Sequence, residues 1–334
     1  MTARRRSGRA VSPLWRTLAG VPGALGLGAA LLAAGGAHPV RGQAPAEGPH
    51  VREGLVALDD ASLFYVSVGS GEPIVVVNGG PGLDHTYLRP GMDALATLYR
   101  VVYFDPRGTG RSRTPLDSTV INFDAMVDDV DRIRQILGQE KITVLAHSFG
   151  GLVGLAYAMR YANRLKALIL VDPVEPGHRW QEATRRRQAA ARTPEDSTEL
   201  AELMASPGFR SRDSVTMSRI YQVSFRSTFR DRARAAELRV NLSSVTARNG
   251  PEVARLVGTS LGRVDWWNRL GAVSAPTLVI HGRFDPIPPG MARALADSIP
   301  DASLTLLDTG HFPFIEDSRG FVAAVSAFLS RLER

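Results

Sequence analysis

The sequence contains no cysteine and almost no lysine. The absence of cysteine among its 334 residues excludes disulfide bonds, thiolate metal sites and lipid attachment to a cysteine. It is also compatible with an exported protein. Of the 40 cationic residues only Lys141 and Lys166 are lysines. We interpret this arginine bias as a reflection of genomic base composition rather than of function.

The chain after its first residues has no excess of charge. The formal net charge is +7, but residues 1–44 contain six arginines and no acidic residue. Removing these six from the 40 cationic residues leaves 34 against 33 acidic residues, a balance of +1. Bulk charge therefore gives no support for a nucleic-acid partner. The apolar content of 44% and the charged content of 22% are those of an ordinary globular protein.

Residues 1–44 have the layout of a secretory signal. The Arg4–Arg6 run precedes an apolar stretch over 18–37, and the small residues Gly42 and Ala44 suit a cleavage site. We expect cleavage and export to the periplasm or the medium. An uncleaved membrane anchor is the alternative, although Pro22 and many Gly and Ala residues make the stretch weakly apolar. The arginine run raises a twin-arginine route, but the bulky apolar residue that should follow it is absent.

From about residue 51, short β-type runs alternate with helical patterns. The β-type runs are 55–58, 63–68, 74–77, 100–104, 142–145, 167–171, 276–280 and 303–307, and the helical patterns are 122–137, 149–160, 289–298 and 317–331. The first two runs predict a hairpin. Continuous apolar strands that alternate with helices are typical of a mostly parallel sheet covered by helices on both faces. The predicted fold class is therefore α/β.

Residues 174–261 differ from the rest of the chain. They are helical in pattern and rich in Arg and Glu, and they contain no strong buried-strand run. We expect an insertion after the sixth strand that forms a helical cap, and we call it the cap segment. Residues 51–173 and 262–334 would then form the core. No internal repeat is visible.

Three chemically useful side chains each follow a predicted strand. Ser148 stands in the sequence Ala-His-Ser-Phe-Gly, a strand–turn–helix pattern that exposes a nucleophile. Asp285 and His311 come after later strands, and the carboxyl ends of parallel strands meet at one edge of a sheet. A serine nucleophile needs an imidazole base and a carboxylate that orients the imidazole. We therefore predict a catalytic triad of Ser148, His311 and Asp285.

Other residues near these strand ends have alternative interpretations. Asp172, at the end of the 167–171 run, is the best rival to Asp285 as the acid. We interpret His147 as structural because its side chain, next to the nucleophile in sequence, should point away from the site. His281 precedes a glycine at a strand end, and we expect it to bind local backbone groups.

A serine nucleophile also needs donors for the oxyanion of its tetrahedral intermediate. The predicted donors are the N–H of Phe149, directly after the nucleophile, and an N–H of the glycine-rich loop 79–82, with Gly80 as the leading candidate. The glycine-rich loop lacks both common nucleotide-binding patterns, so we do not expect a nucleotide site. We expect no metal and no organic cofactor.

The motifs identify the chain as similar to the α/β-hydrolases, and within them to the proline iminopeptidase group. Asn-Gly-Gly-Pro-Gly at 78–82 resembles the His-Gly-Gly-Pro-Gly of that group. Phe-Asp-Pro-Arg-Gly-Thr-Gly-Arg-Ser at 104–112 resembles its Asp-Gln-Arg-Gly-Ser-Gly-Arg-Ser loop. The resemblance runs from about residue 51 to the end and implies an α/β-hydrolase fold with the triad and oxyanion donors named above. Asn78, Pro106 and Ala146 depart from the pattern without removing a catalytic group.

The cap segment departs further from that group, whose cap glutamates bind the free amine of the substrate. One such glutamate follows a tryptophan in the group, whereas here Asn268 follows Trp267 and Gln181 follows Trp180. Glu175 and Glu182 are the remaining candidates for an amine ligand.

Three functions remain open from the sequence. The resemblance implies a serine aminopeptidase of the proline iminopeptidase type that acts on short peptides. An esterase or lactonase with the same machinery is the main alternative among enzymes. A non-catalytic binding protein on a hydrolase fold is the alternative from another class, because a fold alone does not define a function.

Overall fold

A computed structural model describes residues 50–334. The expected signal or anchor in residues 1–44 lies outside these residues. Among the residues described, no helix is both long and apolar enough to cross a membrane.

The core of the described chain is an eight-stranded sheet. Its strands are β1 (Val51–Ala57), β2 (Ser62–Val68), β3 (Pro73–Val77), β4 (Arg100–Phe104), β5 (Ile142–His147), β6 (Leu165–Val171), β7 (Thr277–Gly282) and β8 (Ala302–Leu307). They lie in the order β1-β2-β4-β3-β5-β6-β7-β8. β2 is antiparallel to both β1 and β4, and all other neighbouring strands are parallel. The predicted mostly parallel sheet and its opening hairpin are confirmed.

Eleven α-helices accompany the sheet in the described chain. They are α1 (Arg89–Met92), α2 (Phe123–Ile136), α3 (Gly150–Arg160), α4 (Gln181–Ala191), α5 (Pro194–Ala205), α6 (Pro207–Ser211), α7 (Ser214–Arg226), α8 (Ser244–Leu261), α9 (Pro289–Ser298), α10 (Pro313–Glu316) and α11 (Ser318–Leu332). The four helices that the sequence predicts correspond to α2, α3, α9 and α11. Asn122 caps α2 as its position suggests, because its side chain accepts a hydrogen bond from the N–H of Ala125.

Helices cover both faces of the sheet because successive side chains of a strand point to opposite sides. In β3, Val75 and Val77 join the buried cluster that includes α2, α3 and α9. Ile74 and Val76 join the other cluster, which includes residues of α1 and α11. β3, like the other central strands, is buried on both faces, which explains its unbroken apolar sequence.

The cap segment forms α4 to α8 between β6 and β7. Thr246 of α8 bridges this segment and the core: its hydroxyl donates to Asp84 Oδ2 at 2.6 Å and accepts from the N–H of Gly110 at 2.8 Å. The sequence pattern missed the short helical turns between residues 85 and 97. Such short turns depend on caps such as Asp84, which accepts from the N–H of Thr86, and not on long apolar periodicity.

Candidate active site

Ser148 occupies the sharp turn between β5 and α3. Its φ of +55° is a left-handed conformation that non-glycine residues seldom adopt. The turn is held because the N–H of Ser148 donates to the carbonyl of Val171 at 3.0 Å. A Cβ on Gly150 would lie 2.6 Å from the carbonyl oxygen of Val77, so this position requires glycine. Ala146 is accommodated because Gly154 of α3 faces its methyl group without a side chain.

The structure brings Ser148, His311 and Asp285 together. His311 Nε2 lies 2.9 Å from Ser148 Oγ, and His311 Nδ1 lies 2.7 Å from Asp285 Oδ2. These three residues follow β5, β8 and β7 at the same edge of the sheet. The imidazole can therefore accept the serine proton at Nε2 while its Nδ1–H donates to the carboxylate.

Asp285 is buried and ionised. Its Oδ1 accepts from the N–H of Ile287 at 2.8 Å, and its Oδ2 faces His311. Burial opposes ionisation, but the charge and hydrogen bond of His311 outweigh it and hold the pKa of Asp285 at about 2. The carboxylate is therefore charged at neutral pH and able to orient the imidazole.

Asp172, the rival acid, lies next to Asp285. A carboxylate oxygen of Asp172, a carboxylate oxygen of Asp285 and a ring nitrogen of His311 all lie within 4.8 Å of one another. Asp172 Oδ1 accepts from the N–H of Gly282 at 2.8 Å, and Asp285 is the carboxylate that bonds to His311. Burial, and then the charge of Asp285, raises the pKa of Asp172 well above its usual value.

The two predicted oxyanion donors lie in the loops that follow the neighbouring strands β5 and β3. Phe149 immediately precedes α3, and Gly80 lies in the loop after β3 with a φ of +55°. Asn78 closes this loop, since its amide donates to the carbonyls of Gly79 at 3.1 Å and Leu83 at 3.0 Å. Asn78 therefore supports the loop in place of the histidine of the motif. Neither the N–H of Phe149 nor that of Gly80 donates to another group of residues 50–334.

A buried chain of hydrogen bonds joins the loop after β3 to the histidine loop. The N–H of Gly79 donates to the Tyr87 hydroxyl at 2.7 Å, and this hydroxyl lies 3.0 Å from His147 Nδ1. His147 Nε2 lies 3.0 Å from the carbonyl oxygen of His311. Burial, reinforced by the neighbouring His311, lowers the pKa of His147 to about 3, so the ring is neutral. It therefore accepts from Tyr87 at Nδ1 and donates from Nε2 to the His311 carbonyl.

The proximity of Gly79 to the nucleophile explains its residue type. A Cβ at this position would lie 2.7 Å from Ser148 Cβ and 3.0 Å from the Tyr87 hydroxyl. Sequence reasoning expected a structural role for His147, and the hydrogen bonds agree with that role. Sequence reasoning did not single out Tyr87, because its spacing from the glycine-rich loop carries no catalytic pattern.

The cap segment contacts the backbone of both His311 and Asp285. The N–H of His311 donates to the carbonyl of Thr228 at 2.8 Å. The guanidinium group of Arg187, on α4, donates to the carbonyl of Asp285 at 2.8 Å and 3.2 Å. Neither contact has a sequence signal, because one arginine among many in a helical segment looks like solvated surface.

The arginine-containing motif at 104–112 supports the site from a distance. Asp105 accepts from His85 Nδ1 at 2.6 Å and from the N–H of Arg111 at 2.8 Å. Arg107 forms a bidentate pair with the buried Asp129, at 2.8 and 2.9 Å. The motif therefore organises the loops next to the glycine-rich loop through buried polar contacts.

Glu175 and Glu182, the two candidate amine ligands, have different surroundings. Glu175 Oε2 accepts from the N–H of Trp180 at 2.8 Å, and Oε1 lies 3.4 Å from the indole nitrogen of Trp267. Glu182 is exposed and pairs with Arg185 and Arg186 on its own helix. This pairing gives no support for a role of Glu182 in substrate binding.

A cavity of about 560 Å³ lies between the core and the cap segment. It is lined by Leu152, Arg263 and Ile287 of the core and by Val174, Glu175, His178, Gln181 and Arg185 of the cap segment, among others. Neither Ser148 nor His311 lines this cavity. Its link to the site is Ile287, whose N–H donates to Asp285 Oδ1 at 2.8 Å.

Comparison with known proteins is consistent with this architecture. A family model described as the alpha/beta hydrolase fold matches residues 72–318. A proline iminopeptidase from Heyndrickxia coagulans is 26% identical over 273 residues, which cover 79% of this chain and 92% of the relative. A relative from Caulobacter sp. (strain K31), which carries the provisional name of a carbamate hydrolase, is 30% identical over 260 residues, or 77% of this chain and 90% of the relative.

A solved structure gives the same picture of the fold. A thermophilic esterase from Thermogutta terrifontis matches with a TM-score of 0.61 and 26% identity, and the match covers 85% of this chain and all of the esterase chain. Both peptidase and esterase names therefore occur among the similar proteins.

Proposed function

The chain belongs to the α/β-hydrolase fold family, and on this premise we propose that it is a serine hydrolase that acts through an acyl-enzyme. Membership of the family confirms the resemblance noted in the sequence motifs. The observation that carries the mechanism is the continuous series of contacts from Ser148 Oγ through His311 to Asp285, at 2.9 Å and 2.7 Å. In the proposal Ser148 is the nucleophile, His311 the base and Asp285 the acid.

In the acylation half, Ser148 Oγ attacks the carbonyl carbon of the substrate while its proton moves to His311 Nε2. The electron pair of the carbonyl bond moves to oxygen, and the N–H groups of Phe149 and Gly80 donate to this oxyanion. Asp285 stabilises the imidazolium ion that forms. When the intermediate collapses, the bond to the leaving group breaks and His311 Nε2 returns the proton to that group.

In the deacylation half, His311 takes a proton from water, and the resulting nucleophile attacks the acyl carbon. A second oxyanion forms at the same two donors. Its collapse breaks the bond to Ser148 Oγ, which recovers the proton from His311, and the acid product leaves. The enzyme is then in its starting state.

We assign the leading activity as release of the amino-terminal residue from short peptides, in the manner of proline iminopeptidases. Support comes from several similar proteins that bear that name and from the motifs at 78–82 and 104–112. We place the substrate amine near Glu175, because this carboxylate lines the same cavity as Ile287, whose N–H donates to Asp285. Its two hydrogen bonds to Trp180 and Trp267 would orient it.

The second candidate is an esterase or lactonase. The similarity to the Thermogutta terrifontis esterase favours it. So do the hydrogen bonds that Glu175 already accepts from Trp180 and Trp267, because they compete with a substrate amine. An ester has a better leaving group than an amide and needs no amine ligand, so the same triad would suffice.

One experiment separates these activities. Turnover of proline and alanine p-nitroanilides is compared with turnover of short-chain p-nitrophenyl esters, with Ser148→Ala as the control. We expect anilide turnover that is lost on N-acetylation of the substrate and weakened in Glu175→Gln. Ester turnover without anilide turnover would refute the peptidase proposal, and activity that survives in Ser148→Ala would refute the mechanism.

Labelling by an organophosphonate tests whether the protein is a catalyst at all. We expect rapid covalent modification of Ser148, because the reagent needs a nucleophile activated by its base. A non-catalytic binding protein on the same fold would not react.

We also propose that the protein is exported through the signal in residues 1–44. This proposal is supported by the charge and apolar layout of that segment. Amino-terminal sequencing of the protein from a fractionated native host should show a start close to residues 42–45 outside the cytoplasm. An intact amino terminus in the membrane fraction would instead support the anchor.

A further inference from the structure

Asp172 is a buried carboxyl group that the mechanism above does not use. It lies directly after β6 with a φ of +44°, and its N–H donates to the carbonyl of Ile280 at 2.9 Å. Its Oδ1 accepts from the N–H of Gly282 at 2.8 Å. Its Oδ2 is fully buried and has no hydrogen-bond donor among residues 50–334. A charged oxygen without a donor would be costly in such a place.

The neighbour of this oxygen is the carboxylate of the triad. A carboxylate oxygen of Asp172 lies within 4.8 Å of a carboxylate oxygen of Asp285. Two charged carboxylates this close repel each other, and a proton on one of them removes the repulsion. Asp285 keeps its charge since it faces His311, whereas no arginine or lysine of the described chain pairs with Asp172.

We propose that Asp172 is a positioning residue whose Oδ2 carries a proton at neutral pH and donates it to Asp285, so that the pair holds one negative charge behind His311. This inference rests on the proposed function. Oδ1 is the acceptor of the group, because the N–H of Gly282 already points at it. The protonated Oδ2 can then donate a hydrogen bond to Asp285, so this buried oxygen no longer lacks a partner.

The other groups around the pair are consistent with this proton. Those facing it are His281 on β7, His311 after β8, Glu316 on α10, His147 on β5 and Arg187 on α4. His281 Nε2 donates to the carbonyl of Ile287 at 2.9 Å, and burial lowers the pKa of His281. Its ring is therefore neutral, and its bare Nδ1, 3.3 Å from Asp172 Oδ1, supplies no proton.

A neutral Asp172 has a functional consequence for His311. A second negative charge behind the imidazole would stabilise its protonated form, in which Nε2 cannot accept the serine proton. A carboxylic acid in that position instead fixes the orientation of Asp285 without adding charge. The pair therefore combines alignment of the triad with a single negative charge behind the base.

The test compares Asp172→Asn with the wild type. Asparagine tolerates the left-handed backbone and reproduces the protonated acid, since its amide donates to Asp285 and its carbonyl accepts from Gly282. The readout is the rate at which an organophosphonate labels Ser148, followed from acidic to neutral pH. We expect the labelling rate of Asp172→Asn to lie within about 3-fold of the wild-type rate. We also expect the decline of the rate at acidic pH, the acidic limb of the pH–rate profile, to have the same midpoint.

The acidic limb decides the protonation state. If Asp172 were charged in the wild type, Asp172→Asn would remove a negative charge beside His311 and lower the apparent pKa of that limb by about 1 to 3. Such a decrease would overturn the proposal. Infrared difference spectra provide a readout independent of activity: the wild type should show a protonated carboxyl band that is absent in Asp172→Asn. Absence of the band from the wild type would also refute it.

Two further measurements separate this proposal from its rivals. Asp172→Gly tolerates the same backbone but lacks the donor, and we expect labelling about 10- to 100-fold slower, in line with loss of a hydrogen bond to a charged group. An unchanged rate would show that the donor is dispensable and would overturn the proposal. Loss of wild-type labelling after treatment with a chelator would also overturn it, because a cation would then occupy the place of the proton. Failure of Ser148→Ala to abolish labelling would refute the proposed function instead.

Discussion

Substitution of Tyr87 by phenylalanine should lower the stability of the protein by removing two buried hydrogen bonds behind the active site. The change removes one hydroxyl that accepts from the N–H of Gly79 and donates to His147 Nδ1. Both partners are buried, so each keeps an unsatisfied polar group. An unsatisfied buried group costs about 1 to 3 kcal/mol, and we therefore expect the free energy of unfolding to fall by about 2 to 4 kcal/mol. Urea unfolding followed by circular dichroism measures this change.

The same substitution should reduce kcat more than it changes KM. Gly79 lies beside both Ser148 and the proposed oxyanion donor, and its N–H would lose the bond that positions it. Tyr221→Phe is a matched control because the Tyr221 hydroxyl makes no hydrogen bond with residues 50–334, and we expect its stability to stay within about 0.5 kcal/mol of the wild type. If Tyr87→Phe were as stable and as active as Tyr221→Phe, the argument from the buried chain would be wrong.

Two further outcomes are expected. Arg187→Met should lower kcat/KM about 3- to 10-fold, because the guanidinium group of Arg187 binds the Asp285 carbonyl. The free energy of unfolding should change by less than about 1 kcal/mol, because the arginine is exposed. Arg186→Met, on the same helix, should leave both kcat/KM and stability unchanged. For pH, the unfolded chain binds a proton at His147 below about pH 6.5 while the folded ring stays neutral down to about 3. Stability is therefore lost as pH falls through this window, by up to about 1.4 kcal/mol per pH unit, and His147→Gln should show a shallower loss in urea unfolding. An equal slope in both proteins would contradict the assigned neutral ring.

The strand and helix pattern could be predicted from local sequence because each central strand is buried on both faces. Ile74 to Val77 form an unbroken apolar run for this reason, and the amphipathic run at 122–137 identified α2 by its period. Strand ends were less accurate, since β5 continues through Ala146 and His147, where small and polar residues weaken the apolar signal.

The three residues of the proposed triad could likewise be predicted from the sequence, because each lies within four residues after the end of a strand in the parallel part of the sheet. Their contacts then follow from topology: β5, β7 and β8 bring to one edge residues that are 163 and 26 positions apart. The hydrolase class that these residues indicate agrees with the match to the alpha/beta hydrolase family.

Only the tertiary structure could identify the groups that hold this site in place. The bonds from Tyr87 to His147, from Asp172 to Gly282 and from Arg187 to Asp285 span 60, 110 and 98 positions. None of these residues carries a pattern by which a sequence would reveal its partner. Ser148 and the strand before it were determined by local sequence, because a tight turn between a buried strand and a helix admits few residue types. The proposed protonation of Asp172 and the contacts of the cap segment depend on burial and on distance, which exist only in the folded chain.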